Sequence, residues 1–195
     1  MKKPQDYKHR ILLTIAGSSP AIVSETLYAL SQQKEPFIPT EIHIITTAGV
    51  VNNIKTRLLG TNEQQGAIEA LCQDYHLALP SIDDHTIHII SDDNGKELSD
   101  IITEADNEAT ANFIISKVRE LTADDDSSLH VSIAGGRKTM TFYLGYAMSV
   151  FGRIQDQMSH VLVENDIRSH DFFYPTPKPN PSLTIKIKST VKPTT

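Results

Sequence analysis

Five short apolar runs alternate with stretches of helical periodicity along this chain, and that alternation restricts the fold more than any other feature. The runs are Ile11–Ala16, Glu41–Thr47, Thr86–Ile90, Leu129–Ala134 and His160–Glu164. Between them, Ala21–Gln32 places Ile22, Leu27 and Leu30 at helical spacing after Pro20, where a missing N–H does no harm. Glu63–His76 repeats Ile68, Leu71 and Cys72, and Glu104–Leu121 repeats Phe113, Ile114, Val118 and Leu121. Lys138–Phe151 is the last helix. Strands separated by helices are joined by right-handed crossovers and pair in parallel. Near-continuous apolar strands imply helices on both faces. The expectation is an α/β chain: an open, Rossmann-like three-layer sandwich with a mostly parallel sheet, spanning residues 1–175.

A short C-terminal extension over residues 176–195 departs from this pattern. Pro175, Pro177, Pro179 and Pro181 alternate, which predicts extended backbone. A further strand is expected at Leu183–Lys188 and a disordered end at Ser189–Thr195. No internal repeat is present.

Composition narrows the function classes. At 195 residues with 39% hydrophobic and 22% charged side chains, the chain reads as an ordinary globular domain. Met1–Arg10 has no apolar core of a signal peptide, and no run approaches a membrane span. The single cysteine, Cys72, fits a reducing compartment, so the cytoplasm is expected. A net charge of −6 argues against duplex nucleic acid, whose binding rests on many Lys and Arg contacts, but leaves room for a small anion. Asp124-Asp125-Asp126 reads as a solvated loop rather than a metal site. Neither metal nor cofactor is expected.

The chemistry concentrates in Gly135-Gly136-Arg137-Lys138-Thr139-Met140, where a strand turns directly into a helix. Two glycines let backbone approach a ligand closely. A helix N-terminus offers unpaired N–H groups to an anion. Arg137 and Lys138 add cations where helices usually carry acids. This points to phosphate, although neither a Walker A loop nor a G-x-G-x-x-G fingerprint is present.

Open α/β sheets bind ligands at the carboxyl ends of their strands. Two more turns fall there: Gly17-Ser18-Ser19-Pro20 and Thr46-Thr47-Ala48-Gly49. The first reads equally well as a helix start capped by Ser18 or Ser19. Thr46 and Thr47 alone are also ordinary strand-end residues. His43, His88, His130 and His160 are expected near strand beginnings, at the edge opposite the site, as packing residues. The R-x₆-H spacing of Arg153 and His160 is a weak match to a ribonuclease pattern.

Ser132–Met140, Phe142–Ala147 and Gly152-Arg153 resemble the CRISPR-associated Rossmann fold (CARF) proteins. Gly17–Pro20 with Glu25–Leu30, Asp156 with Ser159–Val163, and Phe172–Pro175 fit the same subgroup, the CRISPR-associated ring nuclease family. The resemblance covers about Ile11 to Pro175. It implies a homodimer whose two domains enclose a cyclic oligoadenylate, usually cyclic tetra-adenylate, the messenger of type III CRISPR systems. Some members of the family also cut the ring without metal, to linear products with 2′,3′-cyclic phosphate ends, and the resemblance extends that expectation to this chain.

By the same resemblance the catalytic candidates are Lys138 and a first-loop serine, Ser18 or Ser19; Arg137, a cation beside Lys138, is a further donor for phosphoryl charge. Gly17, Pro20, Thr46, Thr47, Ala48, Gly135, Gly136, Thr139 and Met140 are candidate ligand contacts. Asn107 is a contact to adenine or ribose, or equally a solvent-exposed helix start. In-line attack of the ribose 2′-OH is served by positioning and by donors to the phosphoryl oxygens. With no general base apparent, turnover is expected to be slow. Family effectors carry a HEPN ribonuclease domain. Only 20 residues follow Pro175, which suggests a stand-alone ring nuclease or an isolated sensor signalling to a partner. A nucleotide-metabolising Rossmann enzyme unrelated to CRISPR is the third reading.

Overall fold

The computed structural model describes residues 2–163, 172–177 and 185–191. Its strands are β1 (His9–Ile15), β2 (Glu41–Thr46), β3 (Ile87–Ile89), β4 (Ser127–Ser132), β5 (Gln157–Val163) and β6 (Ile185–Val191). Its helices are α1 (Ala21–Ser31), α2 (Ala48–Leu58), α3 (Ala67–Asp74), α4 (Glu104–Leu121) and α5 (Lys138–Phe151). One sheet runs in the order β3-β2-β1-β4-β5-β6. The first five strands are parallel and β6 is antiparallel to β5. The fold is the expected Rossmann-like α/β sandwich.

The layers follow from alternation along β1. Ile11, Leu13 and Ile15 join one core, with Ile114 and Val118 of α4 and Leu144 and Met148 of α5. Leu12 and Ala16 join the other, with Leu27 and Leu30 of α1, Ile54 of α2 and Leu71 of α3. Successive side chains of a strand point to opposite faces, so one strand feeds both cores. Burying a side chain of this size contributes about 1.5–3 kcal/mol.

Three expectations need correction. Thr46–Gly49 is expected as a turn and no helix is expected before Glu63, yet α2 forms over Ala48–Leu58. Its Asn52, Asn53 and Thr56 are poor helix formers, and the buried stripe Val51, Ile54 and Leu58 supplies the stabilisation. The helix expected from Glu63 begins only at Ala67. Ser189–Val191, read as a disordered end, belong to β6, while Leu183 and residues 192–195 lie outside the described residues.

The amino edge of the sheet is held by a buried ion pair. Arg153 Nε donates to Asp156 Oδ2 at 2.8 Å, and Asp156 Oδ1 accepts the Leu129 amide at 2.8 Å. Arg153 also donates to the Asp124 carbonyl. The Asp124 carboxylate accepts the Asp126 amide, so this acidic run is a turn. Among the described residues no helix is long and apolar enough to cross a membrane.

Candidate functional site

β1 and β4 are neighbours in the sheet, but the chain leaves them in opposite directions. β1 leads outward to β2 and β3, and β4 leads outward to β5. Crossover helices therefore part at their carboxyl ends and leave a crevice, the usual ligand position in such sheets. A cleft of about 780 Å³ lies there. Gly17, Ser18 and Ser19 line it after β1, Thr47 and Gly49 after β2, and Gly135, Gly136 and Arg137 after β4.

The Gly135-Gly136 turn passes very close to β1. A Cβ at Gly135 would lie 2.0 Å from the Ile15 carbonyl oxygen, and Gly136 has a φ of +73°. Only glycine meets both demands without displacing backbone. α5 then starts with Arg137 as its N-cap, in extended conformation and without a side-chain cap. The first turn of α5 holds no acidic residue, so its leading amides keep their capacity for an anion.

Arg137 is not idle. Its Nε donates to Asp100 Oδ1 at 3.1 Å and its Nη2 to Asp100 Oδ2 at 2.6 Å. The guanidinium holds the Asp100 carboxyl below the usual carboxylate range, and the carboxylate raises Arg137 in turn. Both side chains are about half exposed and both residues line the cleft.

The structure thus brings together Gly17, Ser18, Ser19, Thr47, Gly135, Gly136, Arg137 and Met140. Ser18 and Ser19 are exposed, and neither caps α1, whose N-cap is Pro20; the capping alternative is not what the chain adopts. Pro20, Thr46, Ala48, Asn107, Lys138 and Thr139 are not among the lining residues. Thr46 is buried and donates its hydroxyl to the Ala16 carbonyl at 2.8 Å. The Ala48 amide donates to the Leu98 carbonyl, and the Gly49 amide to that of Ser99, so both amides already have partners. Asn107 donates to Tyr143 Oη at 2.6 Å, tying α4 to α5. Lys138 is the exposed first residue of α5.

Glu25, Asp100 and His160 also line the cleft and are not among the site residues expected from the sequence. For His160 this is a correction: it lies at the site, not at the opposite edge. β5 begins at Gln157 rather than at His160, and Ser159 pairs with Ser132 near the end of β4. That register carries His160 to the carboxyl end. Arg153 stays at the amino edge with Asp156, so the two are not partners in a ribonuclease motif.

His43, His88 and His130 make the packing contacts expected of them. His130 is fully buried, bonded through Nε2 to Ser159 Oγ at 2.7 Å and packed on Phe37. Burial pushes it down to about 4. His43 Nδ1 meets His88 Nε2 at 2.8 Å, and burial lowers both.

No curated protein matches the chain. Similar solved structures include Enterococcus italicus Csm6 bound to cyclic hexa-2′-fluoro-hexa-dAMP. It is 12% identical over 79% of this chain and 33% of that one, with a TM-score of 0.47. Another is a UDP-N-acetylglucosamine 2-epimerase, 17% identical over 87% of this chain and 37% of that one, with a TM-score of 0.35. The chain thus spans about a third of the length of these structures. The CRISPR-associated protein NE0113 family (Cas_NE0113) matches residues 19–192, from the β1–α1 turn through β6. With most of its length matched, the chain belongs to the CRISPR-associated NE0113 family.

Proposed function

We propose that this chain binds a cyclic oligoadenylate, cyclic tetra-adenylate above others, between two copies of itself and cleaves it without metal. The observation that carries this reading is the cleft at the β1–β4 switch point. There the Gly135-Gly136 turn, the start of α5 and Arg137 face the serines of the first loop. Those groups suit phosphodiesters: amides and a guanidinium for the oxygens, hydroxyls for the ribose. CRISPR-associated family membership and the resemblance to CARF proteins support a ring-shaped adenylate over other phosphates.

A homodimer is part of the proposal. Phe142, Tyr146 and Val150 recur at i, i+4 and i+8 on α5 and are 68%, 55% and 55% exposed. An apolar stripe of large side chains on a helix needs a cover. α5 begins at the cleft, so pairing two copies along it sets two clefts side by side for one ring. Ser18, Ser19 and Arg137 then hold and orient the ring, and Lys138 assists the phosphoryl charge by family resemblance.

The alternative is a sensor that binds the ring without cutting it. The Arg137–Asp100 pair and the position of Lys138 outside the lining favour it, because both reduce the free cationic charge in the cleft. Incubation with radiolabelled cyclic tetra-adenylate in EDTA separates the two. Linear products ending in 2′,3′-cyclic phosphate support cleavage, and a tightly bound intact ring supports the sensor. Absence of binding sinks both.

A further inference from the structure

We propose that His160 is the proton acceptor for the cleavage step, a role that rests on the ring-cleavage reading above. Four described residues that line the cleft carry charged or titratable side chains: Glu25 of α1, Asp100 before α4, Arg137 at the start of α5 and His160 of β5. Three of them are unsuited. A guanidinium does not give up its proton in a protein. Asp100 is held in its anionic form by two hydrogen bonds from Arg137, which makes it a weak base. Glu25 is buried and is not free.

His160 differs on each point. It is half-buried at the wall of the cleft, and among the described residues its ring nitrogens have no hydrogen-bond partner. Histidine is the residue type that exchanges protons near neutrality. The neighbouring backbone is irregular as well. Ser189 of β6 pairs with His160 but Ile187 pairs with Val161, so the β5–β6 ladder slips at this residue. The extra residue of this bulge, Lys188, lies on β6 opposite His160.

In the proposed step the ribose 2′-OH proton passes to the neutral imidazole as the O2′–P bond forms. The P–O5′ bond breaks, and the departing 5′-oxygen takes a proton from water. The imidazolium then returns its proton to the resulting hydroxide. No metal, oxidant or co-reactant enters the balance.

The test compares wild type with His160→Asn and His160→Gln for cyclic tetra-adenylate affinity and for single-turnover cleavage across pH, in EDTA. The expected result is ring affinity within about threefold of wild type and cleavage slowed by about 100-fold or more, the scale of lost general-base catalysis. The dependence of the wild-type rate on pH should also disappear. Cleavage within about threefold of wild type, or an unchanged pH profile, overturns the role while leaving ring cleavage intact. Loss of binding in parallel with cleavage in both variants makes His160 a gripping group and also overturns it. A wild-type protein that binds the ring and leaves it whole overturns the ring-cleavage reading and this role together.

Discussion

Asp100 and Arg137 form a two-bond ion pair at the mouth of the cleft, so the cation best placed to meet a phosphate already has a carboxylate on it. A ligand phosphate must displace Asp100 or share Arg137 with it. Asp100→Asn should therefore tighten binding of cyclic tetra-adenylate, by about tenfold on the scale of a charge-assisted hydrogen bond. Fluorescence anisotropy with a labelled ring measures this. Unchanged or weaker binding would show that the pair stays closed when the ligand binds.

Arg137 and Lys138 should separate in their effects, because Arg137 lines the cleft and Lys138 does not. Arg137→Ala is expected to weaken ring binding more than about tenfold, the loss of a charge-assisted contact to phosphate. Lys138→Ala should leave affinity nearly unchanged and slow single-turnover cleavage more than about tenfold, or ~1.4 kcal/mol of barrier. An unchanged rate removes Lys138 from the chemistry.

The buried His130 sets an acid limit on stability. Its folded pKa lies at about 4 because burial disfavours the imidazolium, while an unfolded histidine titrates near ~6.5. The unfolded chain thus binds the extra proton first. Stability is fully present above about pH 6.5 and is lost as pH falls toward about 4. Urea midpoints measured across this window should fall with acidification. His88, also lowered to about 4, contributes in the same direction.

Arg153 should matter for folding, not for catalysis. Asp156 is fully buried and takes two guanidinium bonds from Arg153. Arg153→Met strands that carboxylate, a change that costs about 3–5 kcal/mol. Chemical denaturation should show it. A stability close to wild type would mean that the carboxylate is rescued by protonation or by water.

Much of this was legible in the sequence because it is local. The β4–α5 turn announces itself through Gly135-Gly136 and two adjacent cations, and α5 spans Lys138–Phe151 as its periodicity indicates. The remainder depends on contacts between distant residues. Asp100 meets Arg137 across 37 positions, a pairing that neither segment signals. The position of His160 is not legible because apolar character marks where a strand is buried, not where its pairing begins, and β5 starts at a polar residue, Gln157. α2 is hard to read from the sequence because only Val51, Ile54 and Leu58 report its buried face.

The central claim, that two copies share one ring, is tested most directly by binding stoichiometry. Isothermal titration of the chain with cyclic tetra-adenylate should saturate at one ring per two chains. Phe142→Glu, which charges the exposed face of α5, should abolish both the dimer and that binding. Saturation at one ring per chain, or full binding by a monomeric Phe142→Glu protein, would contradict the account.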